Sequence, residues 1–219
     1  MKELDTICET GLRFFGKVSA SISHEIKNSL AVINENAGLL EDLTLMAAKG
    51  MELDPTRLRG LAEKLLDQVR RSDGIVKNLN RFAHSIDETG KRVDVAETAN
   101  FTALLAARLA SGRDVILKTV PPEKPITMIA SPFFLKALIF RCLEIAMAAP
   151  DMNRTIFLKP ENKEAKIQIR LTGMNLKGAW NEGGFPTEED RALFNFLEAD
   201  VEVNSKIGEI NLVLTQMEK

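Results

Sequence analysis

Cysteine is scarce: Cys8 and Cys142 are the only two in 219 residues. A pair so widely separated is no disulfide framework, and both lie in apolar-looking helical stretches, so buried thiols in a reducing cytoplasm are expected. No run of about 18 apolar residues occurs, which argues against a transmembrane helix and any membrane partner. The opening MKELDTICETG lacks the apolar core of a signal peptide, so a cytoplasmic protein is expected. Basic charge is not in excess: the formal net charge is −2, giving no reason to expect nucleic acid. Internal repeats and low-complexity segments are absent too, which excludes solenoids and arrays. Histidine occurs twice, and the residue four after His24 is Asn28, so the H-E-x-x-H zinc pattern fails. With 45% hydrophobic and 27% charged residues, what remains is an ordinary soluble globular chain of one large or two small domains.

The stretch around which the chain is organised is Gly16 to Leu43. Its apolar residues, Phe15, Val18, Ile22, Ile26, Ile33, Ala37 and Leu40, recur mostly three or four apart, as on a helix packed against another helix. His24 stands two residues from Ile22 and from Ile26, and at about 100° per residue it points away from that seam into solvent. Glu25 adjoins it, and Asn28 follows one turn later on the same face. Lys49-Gly50 closes this helix, and Asp54-Pro55-Thr56 opens a second with a cap and a proline. That helix, Thr56 to Asp87, repeats Leu58, Leu61, Leu65, Val69, Val76, Leu79, Ala83 and Ile86. The two predict an antiparallel helical hairpin. One hairpin cannot enclose two wide apolar faces; two copies forming a four-helix bundle can, so a homodimer is expected. The competing arrangement packs the hairpin on the chain's own C-terminal part.

Glu88 to Lys91 marks a boundary, dividing the chain into residues 1–89 and residues 90–219. Beyond it the pattern predicts a helix over Val95–Leu109, strands over Asp114–Val120 and Ile126–Ala130, and a nearly all-apolar helix over Phe133–Ala149. A strand hairpin follows over Thr155–Lys159 and Ala165–Leu171, then a Gly-rich loop from Gly173 to Pro186. A capped helix over Thr187–Ala199 and strands over Val201–Asn204 and Glu209–Leu214 complete the chain. This order predicts an α+β sandwich with helices on one face of a mixed sheet.

Ser23-His24-Glu25-Ile26-Lys27-Asn28-Ser29-Leu30 resembles the H-box of bacterial sensor histidine kinases, H-E-[IL]-[RK]-[NT]-P-L, departing only at Ser29, where the family has a helix-bending proline. The resemblance implies that His24 is a phosphoacceptor, Glu25 the neighbouring acid/base, and Asn28 an orienter of water or a phosphoryl oxygen. It also implies a dimerising hairpin followed by a GHKL-type ATP-binding domain, whose element order the C-terminal part shares. Twenty-two residues precede the H-box, so no sensor fold is expected ahead of it. The family's nucleotide motifs are altered. Glu144 stands where the helix motif has Asn, and Thr172-Gly173-Met174-Asn175-Leu176 lacks the aspartate of D-x-G-x-G. Leu193 to Leu197 has no glycine. ATP binding is therefore expected to be lost, with no bound cofactor and no resident metal, although Glu144 retains a carboxylate able to meet a cation.

A phosphoacceptor hairpin joined to a degenerate kinase-like domain resembles the histidine phosphotransferases of two-component phosphorelays. The resemblance implies exchange of a phosphoryl group between His24 and the receiver aspartates of response regulators, with Mg²⁺ supplied by the receiver. The alternatives are a response-regulator phosphatase using Asn28 and a non-catalytic scaffold that binds a receiver domain. Arg13, Lys17 and Lys27 are expected to be solvated, available to guide an acidic receiver. His84 reads as a partly buried or helix-end histidine, and Trp180 and Phe185 as loop anchors or partner contacts.

Overall fold

The computed structural model describes residues 2–163, 166–176 and 185–215. Five α-helices and seven strands are described: α1 Lys2–Ala48, α2 Pro55–Ala83, β1 Lys91–Asp94, α3 Val95–Gly112, β2 Ile116–Thr119, β3 Thr127–Ala130, α4 Pro132–Ala148, β4 Thr155–Lys163, β5 Lys166–Thr172, α5 Glu188–Phe196, β6 Ala199–Asn204 and β7 Glu209–Leu214. One compact unit comprises Ser19–Ala83; the other comprises Met1–Val18 with His84–Lys219.

In the unit of residues 19–83, α1 ends where Gly50 takes φ +88°, a conformation costly for a side chain. Asp54 then accepts the Thr56 N–H at 2.8 Å, and Pro55 occupies the first helical position, so the chain re-enters a helix at once. The most deeply buried α1 positions here are Ile22, Ser29, Asn36 and Leu43, each seven residues from the last. This corrects the expected seam: Ile26, Ile33 and Leu40 are only half-buried, and Ala37 is exposed. Two polar side chains lie on the buried line, and Asn36 meets the cost by donating Nδ2 to the Val32 carbonyl at 2.7 Å. On α2 Leu61 and Phe82 are buried and Leu58, Leu65, Gln68, Ser72, Ile75 and Leu79 half-buried, three and four residues apart, with Gly60, Gly74, Asn78 and Ala83 half-buried beside them. Val69, Val76 and Ile86, which the sequence pattern placed on that seam, are exposed instead.

In the other unit, a five-stranded mixed sheet runs β2-β4-β5-β7-β6, with β2 parallel to β4 and the other pairs antiparallel. Period-two alternation puts Ile156 and Leu158 of β4, Ile169 and Leu171 of β5, and Ile210, Leu212 and Leu214 of β7 into the core, while Phe157 and Lys159 point away. α3 and α4 cover the buried face. Asp94 caps α3 by accepting the Glu97 N–H at 2.9 Å, and Pro132 opens α4. α4 buries Leu135, Leu138, Ile139, Cys142, Leu143 and Ala146, as expected of a helix apolar nearly all round. β2 and β3, separated by the proline-rich turn, do not pair with each other. β3 pairs with β1, a strand of four residues that the sequence pattern did not signal, in a separate two-stranded sheet. Of the Gly-rich loop, residues 177–184 lie outside the described residues, and Trp180 and Gly183-Gly184 with them.

Candidate functional site

His24 and Asn28 are exposed on α1, one helical turn apart, and Glu25 is half-buried beside them. Ile22 and Ser29 flank this face and are buried. The periodicity thus turns the imidazole and the amide outward while its neighbours anchor the helix. α1 runs without interruption through Ser29, which occupies the position of the proline in the resembled motif. His84 closes α2 in a single 3-10 turn, and its exposed Nδ1 lies 3.1 Å from Asp87 Oδ2. It is a helix-end histidine and not a partly buried one.

The second place where chemistry-bearing side chains gather is a cleft of about 510 Å³ in the unit built from residues 84–219 and the start of α1. α4 contributes Phe140, Arg141 and Glu144, α5 and its cap contribute Thr187 to Asp190, and α1 contributes Thr10, Arg13, Phe14 and Lys17. Asp190 organises one wall. Its carboxylate accepts Arg141 Nε at 2.7 Å and a second guanidinium nitrogen at 3.2 Å, and also the Thr187 N–H at 2.9 Å and hydroxyl at 2.8 Å. The Thr187 oxygen accepts the Asp190 N–H in return, closing a reciprocal cap on α5. Burial alone would raise the Asp190 carboxyl, but the Arg141 and Thr187 hydrogen bonds outweigh it and hold the group below its ordinary value. The Phe185 ring lies 5.9 Å from the Arg141 guanidinium and meets the Phe194 ring edge-on at 6.0 Å.

Glu144, the residue where the resembled motif has Asn, is largely buried and accepts Lys17 Nζ at 2.5 Å. Arg13 bonds Glu9 and Glu189, both at 2.7 Å. Arg13, Lys17 and Lys27 are all solvent-exposed, as expected, but Arg13 and Lys17 are ion-paired, while Lys27 has no ion pair among the described residues. Nothing in the local sequence of either residue names partners more than 120 positions away. Glu144 is thus paired with a lysine, and among the described residues no group of three or more His, Cys, Asp or Glu is arranged to hold a metal. Gly173 follows β5 at φ +94°, where a Cβ would lie 2.0 Å from the Thr155 carbonyl oxygen. The glycine therefore answers to strand packing, whatever else the loop does.

No family model matches the chain, and no curated protein matches it. Solved structures do resemble it. Three of them are histidine kinases. AdeS of Acinetobacter baumannii matches over 89% of this chain and 98% of its own, at 8% identity and a TM-score of 0.47. The catalytic domain of ThkA, nucleotide-free, covers 59% of this chain and 99% of its own, at 12% identity and 0.46. The cytoplasmic segment of QseC covers 77% and 99%, at 10% identity and 0.43. Likenesses this distant concern outline alone and carry nothing about chemistry. Among the described residues, no helix is long and apolar enough to cross a membrane.

Proposed function

We propose that the chain is a histidine phosphotransferase of a two-component phosphorelay, in which His24 exchanges a phosphoryl group with the receiver aspartates of response regulators. The observation that carries this reading is the exposed His24–Asn28 pair on an uninterrupted helix, within a sequence that resembles the H-box everywhere but Ser29. A ring nitrogen of His24 attacks the phosphorus of an aspartyl phosphate; the P–O bond to the receiver breaks, a P–N bond forms, and the carboxylate leaves. Reversal delivers the group to a second receiver. Glu25 takes the acid/base part, offsetting the positive charge that develops on the ring. The receiver brings its own Mg²⁺, and this chain contributes no cofactor. Residues 1–89 supply the phosphoacceptor, paired in a homodimer, and residues 90–219 a kinase-like domain that does not use ATP.

The test is a time course of label moving from a phosphorylated receiver domain to this chain. His24→Ala should abolish labelling. Glu25→Ala should slow transfer by roughly tenfold to a thousandfold. Asn28→Ala should leave labelling of His24 nearly intact. Labelling of the His24→Ala variant would end the proposal. If the unsubstituted chain released phosphate from the receiver without ever becoming labelled, the phosphatase reading would replace it, since exposed Asn28 is placed to orient a water. A receiver bound with neither outcome would mark a scaffold.

A further inference from the structure

Three cations line the α4–α5 cleft, and each is already engaged: Arg13 with Glu9 and Glu189, Lys17 with Glu144, Arg141 with Asp190. Two of the three come from the first turns of α1. We propose that this segment, Ile7–Val18, is a strap that closes the cleft, with Glu144 reserved for Lys17 instead of a ligand from solution.

The apolar side of the segment is built to dock. Ile7 and Val18 are buried, and the Phe14 ring sits 5.4 Å from that of Phe133 and 5.3 Å from that of Phe140, both on α4. Gly11 lies close against α4, since a Cβ there would meet the Phe134 and Phe133 rings at 3.2 and 3.3 Å. On the polar side the pairing is selective. The Glu144 side chain is 14% exposed, so leaving it without a counter-charge would strand a carboxylate in a poorly solvated wall. Lys17 meets it, while Arg13 clips the segment to the start of α5 through an exposed and therefore labile pair with Glu189.

Held by the three buried side chains Ile7, Phe14 and Val18 and by the ion pairs of Arg13 and Lys17, the segment has fewer anchors than the strands of the sheet core and opens at lower free energy, which makes it a strap and not an extension of the core. Opening would uncover Phe133 and Phe140 together with the acidic face of Glu144. The strap involves none of His24, Glu25 and Asn28, so its failure would leave that reading untouched.

Amide hydrogen exchange on the full chain tests it, alongside fluorescence of the apolar anion anilinonaphthalene sulfonate. Lys17→Glu should speed exchange of amides 7–18 by about tenfold, leave β4, β5 and β7 unchanged, and raise dye emission as the phenylalanines become accessible. Glu144→Lys should do the same, and combining the two should restore slow exchange and low emission. Lys17→Gln, a gentler change, should move both readouts in the same direction by less. Unchanged exchange in the single variants would overturn the proposal, as would a double variant no better than either single. A parallel rise in strand exchange would also overturn it, by making the segment part of the core.

Discussion

Burial sets the behaviour of individual side chains more than their type does. Cys142 is fully enclosed on α4, and burial pushes its thiol up to about 12, so it stays protonated and unreactive at neutral pH. Cys8, expected to be buried likewise, is exposed on α1. A disulfide-exchange reagent should therefore titrate one thiol in the native protein and two after denaturation; two fast thiols in the native state would contradict the packing of α4. Asp190 shows the opposite shift. Its folded value is depressed, so its contribution is present above the unfolded carboxylate value of about 3.9 and is lost as pH falls through the lower folded value. Asp190→Asn should cost about 1–3 kcal/mol at pH 7, discounted because Arg141 is a third exposed, and the difference should vanish in strong acid. Urea titrations of both proteins at pH 7 and below pH 3 measure it. Outward placement of His24 was legible from period alone, because a 3.6-residue repeat fixes which positions oppose a seam. The partner of Glu144 was not legible, because it arrives from the start of the chain and no local pattern encodes so distant a meeting.

Among the elements, two glycines bear the weight of the C-terminal unit. Gly173 at φ +94° leaves no room beside the Thr155 carbonyl, and Gly208 at φ +65° leaves none beside that of Met174, 1.8 Å from the ideal Cβ. Gly173→Ala and Gly208→Ala should each cost roughly 2 kcal/mol or more, from backbone strain and collision together. Gly38→Ala on α1, with nothing within 4 Å, should stabilise by about 0.5–1 kcal/mol. Thermal unfolding of the three variants gives the ranking, and a neutral Gly208→Ala would show that the β6–β7 connection relaxes. Element order was readable because α4 and the strands of the main sheet announce themselves by continuous or alternating apolar residues. The seam of α1 was harder. Ser29 and Asn36 take buried positions that an apolar count assigns elsewhere, and the resulting rotation leaves Ala37 in solvent. The four residues of β1 offer too short a pattern to detect, so the split into two sheets could not be anticipated.

At the scale of the whole molecule, the question is what covers the apolar surface left on residues 19–83. Within one copy, α1 exposes Val32, Leu39 and Met46 seven residues apart, and α2 exposes Leu66, Val69 and Val76. These side chains form lines parallel to the covered positions and are too regular for scattered surface apolar residues. A second copy offering the same surface would cover them and complete a four-helix bundle with two-fold symmetry. The polar positions Ser29 and Asn36 on the buried line would then specify register at some cost in stability. Because Val69 and Val76 are exposed in the single copy, Val69→Glu and Val76→Glu should leave each chain folded, with far-ultraviolet circular dichroism unchanged. In a dimer each introduced carboxylate would have to be desolvated in both copies, weakening association by several kcal/mol, about a thousandfold or more in dissociation constant. Sedimentation velocity over a concentration series separates the outcomes. The unsubstituted chain should sediment as a dimer at micromolar concentration and the double variant as a folded monomer. A monomer from the unsubstituted chain, or a dimer that survives both substitutions, would mean that these exposed lines face something other than a second copy.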